Sequence, residues 1–165
     1  MKRIETFFYR LMHIIAVVAV VLISVLTFKS YQAVTAGDFS ETPNVSSSDI
    51  IQSSSKNRIL IVFYKPGTQL EKSAKKVMDN QVGSQIGTNS IKVVYLNQFS
   101  DQTKKIEKNF ELKVHSNFYI VPVYQGNVGI QISGMNLNRL NQFIVSNNDV
   151  DSSNLKSILT TNWGQ

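Results

Sequence analysis

Thr68 and Glu71 lie three residues apart, just after Pro66 and Gly67, and form the pair in this chain that comes nearest to chemistry. A threonine hydroxyl becomes a nucleophile only beside a base that a third group orients, and the sequence places no such group. A Thr just before a helix with Glu three positions on is also a capping box, in which each residue satisfies an end-of-helix amide, and that accounts for both. The only histidines are His13 and His115, and the 165 residues contain no cysteine. Their separation gives no metal-ligand spacing. The absence of sulfur removes disulfides, thiol nucleophiles and cysteine zinc sites together. No dinucleotide glycine fingerprint, phosphate-binding Walker loop or nucleophile elbow is present. The chain reads as a non-enzyme with no catalytic residue, no cofactor and no metal.

The elements that position these residues begin with a short apolar run, Ile59 to Tyr64, rich in β-branched and aromatic side chains, which reads as a strand buried on both faces. Lys65-Pro66-Gly67 breaks it. Leu70, Ala74, Val77 and Met78 then fall on one face of a helix, and Gln81–Ser90, with two glycines, reads as a loop or frayed turn. Ile91–Leu96 repeats the β-branched pattern, so the two strands should pair in parallel through a right-handed crossover. A helix over Asp101–Asn109 carries Ile106 towards Phe110. Phe118–Tyr124 is a third strand. Its Pro122 removes a ladder donor and is expected at a bulge or just past the paired part. Gln125-Gly126-Asn127 signals a hairpin, Val128–Ser133 the returning strand, Gly134 a corner, and Leu137, Leu140, Phe143 and Ile144 a helix. Leu155, Ile158 and Leu159 mark a short final helix ending near Trp163 and docking on the domain.

The order β-α-β-α-β-β-α, a first strand closing on Phe63-Tyr64, and the hairpin–glycine–helix ending resemble the thioredoxin-like family. The resemblance implies an α/β domain over 58–148, with a mixed sheet and helices on both faces. In that family a Cys-x-x-Cys opens the first helix, and here those positions are Thr68 and Glu71. The family's cis-proline corner falls at Ser116 or Asn117, where a trans bond is expected because a cis bond without proline costs about 3–4 kcal/mol. The resemblance thus implies a redox-inactive scaffold that keeps the family's groove as a docking surface, through Pro66, Gly67, Thr68, His115, Ser116 and Asn117.

A net charge of +6 suggests a soft attraction to acidic surfaces, but the lysines are dispersed, so no specific nucleic acid is implied. Residues 1–10 carry Lys2, Arg3 and Arg10 against Glu5. Residues 11–28 are apolar enough, at ~27 Å of helix, to match a bilayer's hydrocarbon, and the flanking charge keeps the N-terminus cytoplasmic. A cleaved signal peptide, cut at Ala36-Gly37, is the alternative. Residues 29–57, with Ser46-Ser47-Ser48 and Ser53-Ser54-Ser55, read as a flexible linker with a short turn of structure near Ile50-Ile51, and 149–165 as a tail with its short helix. The expectation is a single-pass membrane protein with its domain outside the cell and other envelope proteins as partners. Its architecture resembles small anchored accessory proteins of export and conjugative secretion in Gram-positive bacteria. A bacteriocin immunity or toxin-binding protein is the alternative.

Overall fold

The structure, a computed structural model, describes residue 12 and residues 15–23, 39–85, 91–114, 116–147, 149–161 and 163. Residues 1–36 and 37–165 form separate units. In the first unit, residues 15–23 are helical. Among the described residues no helix is long and apolar enough to cross a membrane. The basic terminus, most of the expected span 11–28, linker positions 29–38 and the Ala36-Gly37 cut lie outside the described residues.

The second unit is a mixed α/β fold. Helix α1 (Ser47–Ser54) is followed by β1 (Arg58–Tyr64), α2 (Gln69–Gln85), β2 (Ile91–Asn97) and α3 (Asp101–Asn109). Strands β3 (Phe118–Tyr124) and β4 (Asn127–Val128), helix α4 (Leu137–Ile144), a small hairpin β5 (Val145–Ser146) and β6 (Asp149–Val150), and α5 (Ser152–Thr160) complete it. The sheet order is β2-β1-β3-β4. As expected, β1 and β2 run parallel, from Arg58 beside Ile91 to Tyr64 beside Asn97, while β3 pairs antiparallel with β1. β1 is buried along nearly its whole length, because its side chains alternate between two cores. Leu60, Val62 and Tyr64 join α2, α4 and α5 on one face. Ile59, Ile61 and Phe63 join α1 and α3 on the other.

The expected flexible linker to residue 57 is corrected from Phe39 onward. Phe39 is buried, and Ser46 caps α1 reciprocally with Asp49. Val45, one residue before the cap, packs in the same cluster as Ile50, which is the hydrophobic staple of a helix start. Serine-rich composition signals disorder on average, yet two serines here are a cap and a buried lock. Ser54 accepts the Gln125 N–H on its carbonyl and the Gly126 N–H on its hydroxyl, tying α1 to the β3–β4 turn. That turn has positive φ at both Gln125 and Gly126, matching the twist of a tight hairpin. α2 also extends through Gly83 to Gln85, beyond the expected loop boundary.

Pro122 is not at a bulge. It sits in β3 opposite Leu60. Its carbonyl accepts from Gly129 N–H at 2.9 Å, so its nitrogen also faces β4, because both polar groups of a strand residue point to the same side. With no N–H there, the ladder stops: β4 is two residues long rather than Val128–Ser133, and an isolated bridge joins Ile132 to Met135 around Ser133-Gly134. Two residues back, the same margin of β3 is closed by a side chain. Asn141 Oδ1 accepts from Ile120 N–H at 2.8 Å and its Nδ2 donates to Ile120 C=O at 3.0 Å. α4 therefore buries Asn141 where the apolar pattern expected Phe143, which is 38% exposed. The tail docks as expected: Leu155, Ile158 and Leu159 are buried, and Trp163 donates its indole N–H to Ile158 C=O.

Asn141→Leu keeps the branched shape in a somewhat larger side chain but leaves two buried peptide groups of Ile120 unpaired. Each such group costs about 1–3 kcal/mol, so urea unfolding of Asn141→Leu should show a loss of about 2–4 kcal/mol, against about 0.5 kcal/mol for the exposed neighbour change Gln142→Ala.

Candidate functional site

The C-terminal ends of β1 and β2 carry the loops that hold the sequence-derived docking residues. Lys65 N–H donates to Asn117 C=O at 2.8 Å, so the loop leaving β1 and the loop entering β3 are fastened side by side. Gln98, just past β2, adds a second fastening. Its backbone N–H donates to Tyr64 C=O at 3.0 Å and its side-chain amide to Ser116 C=O at 2.7 Å. The structure thus brings Pro66, Gly67 and Thr68 together with Ser116 and Asn117. His115 lies outside the described residues. No peptide bond among those described is cis, in keeping with the expectation for Asn117, whereas the bond entering Ser116 begins at His115 and lies outside the described residues.

Thr68 and Glu71 make half of the expected capping box. Thr68 Oγ1 accepts from Glu71 N–H at 3.2 Å and donates to Lys65 C=O at 3.0 Å. The Glu71 carboxylate reaches past Thr68: Oε2 accepts from Gly67 N–H at 2.6 Å, and Oε1 from Phe39 N–H at 3.5 Å. Gly67 has φ of +77°, a conformation that glycine adopts without a Cβ penalty. Glu71 is wholly buried. It is an anchor, holding the loop that ends β1 and the chain segment that enters the domain.

Three residues of this end were not singled out from the sequence. Phe99 is 61% exposed at the tip of the β2–α3 turn, held there by Asn97 Oδ1, which accepts from Phe99 N–H at 2.9 Å. Lys65 Nζ stands 5.8 Å from the centre of its ring, within cation–π reach. Gln98 is the bridge already described. The available signal was a large aromatic inside the polar run Asn97-Gln98-Phe99-Ser100-Asp101, where turn chemistry has no use for one. The arrangement offers one apolar ring, one cation and a rigid rim of backbone, which suits binding a partner surface.

Behind the rim, Tyr64 donates its hydroxyl to Phe39 C=O at 3.3 Å. Burial, then the charges of Glu41 and Glu71, push its pKa from the ordinary 10 up to about 12. Tyr95 is pushed to about 12, first by burial and then by Asp79. A folded-state value above the unfolded one means that the fold favours the protonated ring. The stabilisation is complete below about pH 10 and is lost as pH rises through about 12. Ultraviolet titration should therefore show two tyrosines ionising about two units late, with urea stability falling over that window. Tyr64→Phe should remove one late titration and the part of the fall that belongs to it.

No protein-family model matches the chain, and comparison with curated proteins and with solved structures gives no match.

Proposed function

We propose that this chain is a thioredoxin-like, redox-inactive docking module, anchored outside a cell membrane by its N-terminal segment. Its role would be that of a binding or accessory subunit of an envelope export or conjugative secretion assembly. The fold part of this reading is supported by the element order, by the parallel β1–β2 pair and the antiparallel β3, and by helices on both faces. The absence of cysteine excludes thiol exchange. The anchor rests on the apolar run at 11–28 and the positive charge before it. Because the fold begins by Phe39, the tether would be residues 29–38, which at ~3.5 Å per residue span at most ~35 Å. A partner would then be another protein at the same membrane.

The observation that carries the docking role is Phe99, an exposed aromatic braced by Lys65 beside two loops locked to each other by backbone hydrogen bonds. Aromatic anchors on a rigid base are where binding energy concentrates.

A photo-crosslinking residue at position 99 of the full chain, in cells, should capture one discrete envelope protein, whereas the same residue at the exposed Lys108 on α3 should not. Equal capture from both positions, or none from 99, overturns the docking surface. Recovery of a peptide toxin or its receptor instead of secretion subunits would transfer the role to immunity. With the crosslinker moved to the exposed Asp101, Phe99→Ser should abolish capture while changing stability by less than about 0.5 kcal/mol. A cysteine placed at Lys108 should react with an impermeant maleimide in intact cells; reaction only after the membrane is broken places the domain inside.

A further inference from the structure

We propose that the slot holding residues 39–42 is a peptide-recognition site which the chain keeps filled with its own arm. Its ligand in trans would be a segment of a partner protein with an aromatic residue, a carboxylate two positions later, and a serine or threonine next. The pattern is read from how the arm is held. Phe39 is buried, stacking on Tyr95 with ring centres 4.8 Å apart, tilting against Tyr64 at 5.2 Å, and lying under Lys75 Nζ at 5.9 Å. Both polar groups of Phe39 are gripped by side chains: the N–H by the fully buried Glu71 carboxylate and the C=O by the Tyr64 hydroxyl. Ser40 is exposed and hydrogen-bonds to nothing among the described residues. Glu41 Oε1 accepts from the hydroxyls of Ser100 and Thr103, at the N-terminus of α3, where amides favour negative charge.

Thr42 then behaves as one residue of an added strand. Its N–H donates to Tyr95 C=O, and its Oγ1 accepts from Tyr95 N–H, both at 2.9 Å. Gln102 closes the slot by donating to Thr42 C=O at 2.9 Å. Ring, peptide, charge and strand edge are each met by a separate wall, and residues 39–42 reach them without forming a helix or strand of their own. Recognition of an extended segment at a sheet margin, with pockets for its side chains, is an established binding mode. This slot is distinct from the Phe99 surface. The two are coupled through Glu71, which also holds Gly67, and through Ser100, the residue after Phe99, which donates to Glu41.

A tethered arm competes at roughly millimolar effective concentration, so the intact protein should largely refuse a free ligand. The probe is a synthetic peptide of residues 37–46, titrated by NMR against the full chain and against the full chain carrying Phe39→Ala and Glu41→Ala, which removes the arm's ring and its charge and leaves the walls of the slot intact. The peptide should bind the variant saturably, the unmodified chain at least ~100-fold more weakly, and should slow amide exchange at Tyr95 and Gly67. The same peptide with alanine in place of Phe39 should not bind. A variant that keeps the near-ultraviolet signature of buried Trp163 yet ignores the peptide overturns the proposal, as does equal binding to the unmodified chain. Should the double variant unfold, Thr42→Ala alone removes the hydroxyl that accepts from Tyr95 N–H, loosening the arm while keeping Phe39 and every wall of the slot. Exchange at Tyr95 should then quicken and be slowed by added peptide, and failure of either step also overturns it. Concentration-dependent dimers of the unmodified chain, joined by exchanged arms, would replace the partner protein with a second copy.

Discussion

A four-stranded sheet has two margins, and the peptide groups along them must find partners or face water. In this domain that requirement governs most of what is irregular. At the β2 margin, an extended strand would present a row of free donors and acceptors, the usual template for unwanted pairing. Thr42 supplies a single strand-like exchange with Tyr95, and Gln102 holds it in place. At the β3 margin, Pro122 ends the β4 ladder, and Asn141 takes over with an amide that mimics a peptide group towards Ile120. A polar residue in the middle of an apolar helix face is thus the cost of a strand that proline cut short.

These two closures also determine what the ends of the sheet can do. Once the arm is fixed along β2, the C-terminal ends of β1 and β2 sit between it and the β3 entry, and the loops there have little freedom. Lys65 is held by Asn117, Gln98 by Tyr64 and Ser116, and Gly67 by Glu71. Loops fixed in this way can present a side chain such as Phe99 without losing much conformational entropy on binding, which is what makes a small exposed ring useful. Rigidity here comes from backbone pairing across loops rather than from any disulfide.

The regular part of the fold was legible because its signals are local. Ile59–Tyr64, Ile91–Leu96 and the Leu70/Ala74/Met78 face announce a buried parallel pair and its crossover helix, and the tail helix showed in Leu155, Ile158 and Leu159. What was not legible depends on contacts distant in sequence. Nothing near Asn141 says that it will serve Ile120, and nothing near Phe39 says that Tyr64, Tyr95 and Phe118 leave a space for it. Composition misled for residues 39–57, because an averaged serine content hides a cap at Ser46 and a lock at Ser54. The loops of the proposed docking surface were placed by resemblance. Phe99 and Gln98 were missed because no period or motif marks a turn residue whose role is to face outward or to bridge.

Glu71 shows how one buried carboxylate at the start of a helix can organise its surroundings. The first turn of a helix favours negative charge through its unpaired amides, and the same environment makes a cysteine there a better thiolate. A carboxylate at this place draws on the same field but cannot exchange electrons. With Gly67 and Phe39 donating to it, it instead fixes the loop in front and the arm behind. Its burial means that neither oxygen can turn to water if a donor leaves, so whatever fills the slot must bring an N–H to the place of Phe39's. A corner without sulfur is therefore not idle. The electrostatics that would suit a thiolate are used to join the incoming chain to the rim on which the proposed docking surface is built.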